Sequence, residues 1–434
     1  MPFSRYAISF PDPQRPGFVI LYSTRKGSVV RVPEQLLTSI KNDTLSPTER
    51  ATLQQLQLWT DDLEAERAEL AAIVDHTNSH AKLFSATVVL TLACNLACPY
   101  CFEEPFRDGQ EMREETGRVL VDYLISKHLE QGRNVELRFY GGEQLMAITR
   151  LKEIATPLLA AAADTGRTFS FSLVTNATLL TRAVVEELLP LGLKSVIITL
   201  DGPPEIHDQQ RPFVSGKGSF KTIIDNLAAV YDLVTIKPGG NFTRDNYQRF
   251  PEMLDLLLEA GIDPAQLGPV QFSPIHPKSG LFDPHAAACV IANEPWLIEA
   301  NLFLREEILR RGFTVDKLQM GICMIDLEQT LVVNFDGSLY KCPSLMGWPE
   351  FCVGTLADGV GDYHASHRLD IWKNDECLDC AYLPICFGGC RLLTLQKNGA
   401  IDTVDCHRPM LDASLERLVL QDLGVRKSDV RPAG

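Results

Sequence analysis

Thr87-Val-Val-Leu-Thr-Leu-Ala-Cys94-Asn-Leu-Ala-Cys98-Pro-Tyr-Cys101 joins a β-branched apolar run to three cysteines that fall within eight residues. The run 87–92 reads as a buried strand, which places the thiols on the loop at its carboxyl end. Three soft ligands bunched this tightly suit an iron–sulfur cluster. A [4Fe–4S] cluster takes four ligands, so three would leave one iron open to an exogenous group, much as a catalytic metal keeps a free position. A zinc knuckle is the other possibility, but it wants a fourth Cys or His nearby, and none occurs between Cys101 and His128.

Downstream of this strand, short apolar runs alternate with helical segments, the pattern of βα units around a parallel sheet. Strands are expected at 87–92, 134–139, 169–175, 195–200, 233–236 and 270–273. Helices are expected at 114–129, 145–163, 181–189, 219–230, 246–260 and 295–311. The fold class is therefore α/β, a partial (β/α)6 TIM-like barrel spanning 85–315, with its site at the carboxyl ends of the strands. Residues 1–84 lack cysteine and read as a small α+β module, with strands at 6–10, 18–23 and 29–32. A helix begins behind Ser46, with Pro47 in its first turn, and the charged, periodic stretch 61–74 reads as a surface helix. After Gly312 the alternation stops and cysteines crowd in, so a separate metal-dependent domain is expected at 316–409. A final helix at 410–423 would stop at Gly424, within a terminal segment 410–434.

Composition narrows the function classes. The 434 residues carry 41 Lys+Arg against 56 Asp+Glu, a formal net charge of −15. That excess argues against a general binder of nucleic acid or anionic membrane, and a basic or neutral partner fits better. No apolar run reaches the roughly 18 residues that span a bilayer, and the start MPFSRYAISFPDP lacks the parts of a secretory signal. The expectation is a cytoplasmic protein whose 12 cysteines are not a disulfide framework, most of them binding metal instead. Cys289, alone in an Ala-rich segment, reads as a core residue.

The CxxxCxxC loop after the first strand, with an aromatic before its last cysteine, resembles that of the radical S-adenosylmethionine (SAM) superfamily. The resemblance implies that Cys94, Cys98 and Cys101 hold a [4Fe–4S] cluster whose open iron binds SAM, which is reductively cleaved to a 5′-deoxyadenosyl radical that abstracts a substrate hydrogen. It also implies roles at the ends of later strands. Gly141-Gly142-Glu143 would take hydrogen bonds from the SAM ammonium and Tyr100 would pack beside the adenine. Asn176, Thr199 and Asp201 would face SAM, and Arg211 would grip its carboxylate bidentately.

The later cysteines, Cys323, Cys342, Cys377-x2-Cys380-x5-Cys386-x3-Cys390 and Cys406, resemble the SPASM extension of these enzymes, which carries two auxiliary clusters. Its pattern implies that Cys323, Cys342 and Cys390 ligate one, and Cys377, Cys380, Cys386 and Cys406 the other, for three [4Fe–4S] clusters in all. Some relatives have a further cysteine between the positions of Cys323 and Cys342, and this chain has none. Cys352 is the candidate fourth ligand, the alternative being a site open to a substrate thiolate. Two zinc sites of the ribbon kind would use the same spacing.

Proteins of this resemblance modify peptides or proteins. The expected function is maturation of a ribosomally made precursor peptide through a thioether or carbon–carbon crosslink. Electrons would come from a reductant such as flavodoxin or ferredoxin. The N-terminal module resembles in outline the leader-peptide recognition domains of peptide maturases. Oxidation of a protein Cys or Ser, as by sulfatase maturases, is the alternative, but those enzymes place a carboxylate after the cysteine corresponding to Cys342, where this chain has Pro343. A non-catalytic iron–sulfur or zinc scaffold is the remaining class. No catalytic base or radical relay stands out from the sequence.

Overall fold

The computed structural model describes residues 3–101, 103–106, 109–275 and 293–424. The expectation for Cys289 lies outside the described residues. Three short strands, β1 (Ala7–Pro11), β2 (Phe18–Ser23) and β3 (Val29–Pro33), form an antiparallel sheet in that order. Helices at Glu34–Lys41, Pro47–Gln55, Leu63–Ala71 and Ile73–Ser79 follow. The second begins as expected, with Ser46 and Glu49 in a reciprocal capping box.

The parallel part of the main sheet runs β4 (Leu83–Val89), β5 (Asn134–Tyr140), β6 (Phe169–Thr175), β7 (Leu193–Thr199), β8 (Thr235–Phe242) and β9 (Gln271–Pro274), each beside its predecessor. Crossover helices bury one stripe each. Leu151, Ile154, Ala155, Leu158 and Ala162 of Ile148–Asp164 recur at helical spacing and join the core with Phe139, Phe171 and Leu173. All six expected strands are present, but two are displaced. β4 ends at Val89 rather than 92, because the Leu90 amide bonds the Gln144 side chain (2.9 Å) instead of a neighbouring strand. β8 covers 235–242 rather than 233–236, running through Lys-Pro-Gly-Gly, a stretch that reads as a break. Pro238 is tolerated because β9 pairs with β8 only from Gly239 onward. Gly240 is required because a Cβ there would lie 2.1 Å from the Leu200 carbonyl oxygen.

A seventh parallel strand was not anticipated. β10 (Thr330–Val333), from the cysteine-rich segment, pairs with the free edge of β4, and β11 (Ser338–Tyr340), β12 (Gly354–Thr355) and β13 (Gly359–Val360) continue antiparallel from it. One ten-stranded sheet, β13-β12-β11-β10-β4-β5-β6-β7-β8-β9, thus crosses the expected boundary at 315/316, and its linear order leaves it open. The last helix, Arg408–Asp422, packs Leu415, Val419 and Leu420 against Phe10, Ile20 and Tyr22 of the N-terminal sheet.

Candidate active site

The three-cysteine loop leaves the carboxyl end of β4 and is pinned on every side. The Gly142 amide donates to the Thr91 carbonyl (3.0 Å) and the Glu143 amide to that of Ala93 (2.8 Å). This approach is so close that a Cβ on Gly142 would stand 2.2 Å from the Ala93 oxygen, and Gly141 takes a φ of +128°. Both positions therefore demand glycine. On the far side, the Ala97 amide donates to Pro212 (2.8 Å) and the Val214 amide to Asn95 (3.0 Å), while Leu96 bridges to Phe213.

Burial pushes the Cys98 thiol up; Arg211 opposes this, and Cys94 and Cys101 add to it. The three sulfurs therefore share one neighbourhood, as the ligands of one metal centre must. Two donors reach the Cys94 sulfur, the Leu96 amide (3.4 Å) and Asn176 Nδ2 (3.7 Å). Asn176 also donates to Asn95 Oδ1 (2.8 Å), and Asn95 Nδ2 donates to Thr178 Oγ1 (2.8 Å). A thiolate set with hydrogen bonds to its sulfur fits an iron–sulfur cluster.

The polar strand ends form a second layer. The fully buried Glu143 carboxylate accepts from Thr175 Oγ1 (2.8 and 2.9 Å), the Asn176 amide (2.8 Å) and the Leu145 amide (3.0 Å). Burial raises its pKa, and those bonds oppose the shift. The carboxylate thus braces the end of β5 against the end of β6. Tyr100, Asp201, Arg211 and Asn241 make one cluster. The Tyr100 hydroxyl donates to Asp201 Oδ2 and accepts from Arg211 Nη1 (2.6 Å) and Asn241 Nδ2 (3.3 Å), while the Asn241 amide donates to Asp201 Oδ1 (2.7 Å). Burial raises the Asp201 carboxyl against the pull of Arg211, whose nearest ion-pair contact is 3.8 Å, and Arg211 remains cationic. Arg211 Nε is buried without a hydrogen-bond partner among the described residues, a spare donor suited to an incoming carboxylate.

Of the residues singled out from sequence, Tyr100, Asp201 and Arg211 meet directly, and Asn176 meets the cysteine loop. Thr199 ends β7, next to Gly239 across the ladder. Asn95, Thr178 and Asn241 were missed. Asn241 lies in the stretch between the strand expected at 233–236 and the helix expected at 246–260, to which no element was assigned, and Asn95 sits between two of the expected ligands.

Downstream, the cysteines fall into two sets. The Cys342 thiol is pushed up to about 11, chiefly by burial, with Cys390 and Cys323 contributing. Cys377 is raised by burial, then by Cys386, Cys380 and Cys406. Among the described residues, no three Cys, His, Asp or Glu side chains converge tightly enough to hold a single metal ion. Within the first set, a fully buried ion pair ties the Cys323 turn to the Cys390 turn: Arg391 Nη2 donates to both Asp326 oxygens at 2.9 Å, and Nη1 to the Phe387 and Gly389 carbonyls. Cys352 is exposed, its thiol donating to the Gly354 carbonyl (3.2 Å).

No helix among the described residues is long and apolar enough to cross a membrane. The serine-type anaerobic sulfatase-maturating enzyme of Bacteroides thetaiotaomicron is 31% identical over 343 residues, which are 68% of this chain and 80% of that protein. Among solved structures, anSMEcpe with bound AdoMet has a TM-score of 0.62 at 17% identity, covering 79% of this chain and 100% of that one. Streptococcus suis SuiB bound to its precursor peptide SuiA has a TM-score of 0.53 at 16% identity, covering 93% of this chain and 98% of that one. Residues 88–257, from within β4 into the helix Glu252–Glu259, match the Radical SAM superfamily. The chain accordingly belongs to the radical SAM superfamily, and SAM and that superfamily's iron–sulfur cluster are its cofactors.

Proposed function

We propose that this radical SAM enzyme modifies a ribosomally made precursor peptide, forming a thioether or carbon–carbon crosslink. The observation that carries this reading is the likeness in fold to SuiB, solved with its precursor peptide, which extends over 93% of this chain and so takes in the N-terminal module. When bound, SAM and its cluster supply a carbon radical that takes a hydrogen atom from the substrate. The chain's own residues position and enclose. Cys94, Cys98 and Cys101 hold the cluster, with Asn176 and the Leu96 amide donating to the Cys94 sulfur. Arg211 holds the SAM carboxylate, kept in place by Tyr100, Asp201 and Asn241. Gly141 and Gly142 let the β5 turn close against the cysteine loop, and Glu143 fixes that turn to β6. Cys323, Cys342 and Cys390 would hold one auxiliary cluster, and Cys377, Cys380, Cys386 and Cys406 a second. A role for Cys352 as fourth ligand would require its exposed thiol to turn away from Gly354.

A second reading, oxidation of a protein Cys or Ser side chain, is favoured by the 31% identical sulfatase-maturating relative. Pro343 speaks against it, since the position after Cys342 carries no acid and opens a short turn, Pro343–Leu345. The deciding experiment is anaerobic reconstitution followed by addition of SAM, a strong reductant and candidate substrates. Formation of 5′-deoxyadenosine with a crosslinked peptide two hydrogens lighter supports the maturase. The same mass loss on a sulfatase-type peptide without a crosslink supports the second reading, and absence of SAM cleavage sinks both.

A further inference from the structure

The two downstream cysteine sets are braced in different ways. The first is braced from within its own segment, by the buried Arg391–Asp326 pair. The second is held by the N-terminal module, from more than three hundred residues away in sequence. The Tyr6 hydroxyl, fully buried, donates to the Leu378 carbonyl (2.8 Å), and Thr24 Oγ1, also fully buried, donates to the Ala381 carbonyl (2.7 Å). Those two carbonyls bracket Cys380. Between them, Asp379 takes ion pairs from Arg5 and Arg67, and Arg67 also reaches Asp375, two residues before Cys377. Apart from Cys380 itself, every residue of the stretch 378–381 is therefore gripped by the module. Beneath the polar contacts, Tyr6, Leu70 and Val74 pack with Trp372, Leu378, Leu383 and Phe387 in one apolar cluster, against which Cys377 lies.

A backbone carbonyl in so tight a turn is ordinarily satisfied locally or by water. Here two carbonyls on either side of one thiol are satisfied by two buried hydroxyls of a remote module, which fixes the direction of the turn from outside. We propose that the N-terminal module clamps the second auxiliary site, with Tyr6, Thr24 and Arg67 as positioning residues that hold Cys377 and Cys380 in the geometry that retains a cluster. The proposal rests on the reading that these cysteines are ligands. It adds a second duty to the module: whatever binds and stiffens the module also stiffens this turn, by linkage.

The test uses the full-length, reconstituted protein and reads iron per chain and the time course of iron loss to a chelator. Cys377→Ala checks the ligand reading, and should lack about a third of the iron, one cluster of three. The double variant Tyr6→Phe with Thr24→Val removes only the two hydroxyls, and should lose that same third about tenfold faster than the unaltered protein, the effect of two lost hydrogen bonds. The other two thirds should leave at an unchanged rate. Lys152→Gln, which breaks a surface pair with Glu187 far from this turn, serves as the control and should behave like the unaltered protein. An unchanged rate in the double variant, beside an iron-depleted Cys377→Ala, overturns the clamp while leaving the ligand reading intact. Full iron in Cys377→Ala overturns the ligand reading and the clamp with it. Equal acceleration of all the iron also overturns the clamp, since it would report general loosening.

Discussion

In the proposed reading Arg211 is the residue that would recognise the SAM carboxylate, because its guanidinium is buried, oriented by Tyr100 and Asp201, and left with a spare Nε donor. Replacing it by Lys keeps the charge but loses the planar fork, so SAM binding should weaken roughly 10- to 100-fold, the worth of a charge-assisted bidentate contact. Equilibrium dialysis of SAM against the reconstituted variant measures this, and unchanged affinity would remove Arg211 from the site. His207 supports the same cluster. Its Nδ1 accepts from the Asp201 amide (3.1 Å) and its Nε2 pairs with Ser219 Oγ (3.0 Å). Burial, with Arg211 adding to it, pushes its pKa down from 6.5 to about 3. The unfolded chain therefore takes up a proton below pH 6.5 that the folded one refuses, and stability falls as pH drops from there toward 3. The slope is up to about 1.4 kcal/mol per pH unit for this group. Unfolding midpoints at pH 7 and pH 5 should lie closer together in His207→Asn than in the unaltered protein. Part of the slope should persist, since burial also lowers His128 and His367 to about 4.

At the scale of elements, the site depends on two loops closing against each other. The turn after β5 meets the loop after β4 through backbone bonds that only glycine permits. Gly142→Ala would drive a methyl group into the Ala93 carbonyl, which must shift or be overpacked at a cost of roughly 1–3 kcal/mol. The cysteine loop would move with it. Iron at the SAM cluster should fall and SAM cleavage should drop in proportion, while the sheet, measured by circular dichroism, should persist. Normal iron and normal cleavage in this variant would show that the close approach is dispensable. Gly240 makes a similar contact between β8 and the Leu200 carbonyl, and there a methyl group would disturb the position of Asn241 and through it Tyr100.

Across the whole molecule, one open sheet carries both the proposed SAM site and the start of the cysteine-rich segment, since β10 pairs directly with β4. The Arg391–Asp326 pair then secures that segment's own fold. Asp326→Ala would leave a buried guanidinium without its carboxylate, which costs roughly 3–5 kcal/mol. The double replacement Asp326→Leu with Arg391→Met should be milder than the single one, because no charge is stranded. Thermal unfolding of the three proteins decides this, and a double variant worse than Asp326→Ala would mean that the pair does more than cancel its own charge. If the substrate is a precursor peptide as proposed, the net charge of −15 would favour a basic one.

The sequence by itself determined what depends on local spacing and residue chemistry. The three-thiol loop at a strand end, the alternation of six βα units and the helix start behind Ser46 each show in a local pattern, even where that pattern, as in the thiol loop, also admitted zinc. Only the tertiary structure decided what depends on distant segments meeting. Pairing of β10 with β4 joins residues about 245 apart, and no periodicity announces a partner at that distance. Asn241 enters the Tyr100 cluster only because Gly240 lets a Pro-Gly-Gly stretch continue as a strand, against its local preference for a turn. Glu143 was read toward the cofactor from its motif, and the fold adds what the motif does not carry, that its carboxylate accepts from Thr175 and Asn176. The grip of Tyr6 and Thr24 on Leu378 and Ala381 is the extreme case, because a hydroxyl and a carbonyl carry no mark of each other until packing sets them 2.7–2.8 Å apart.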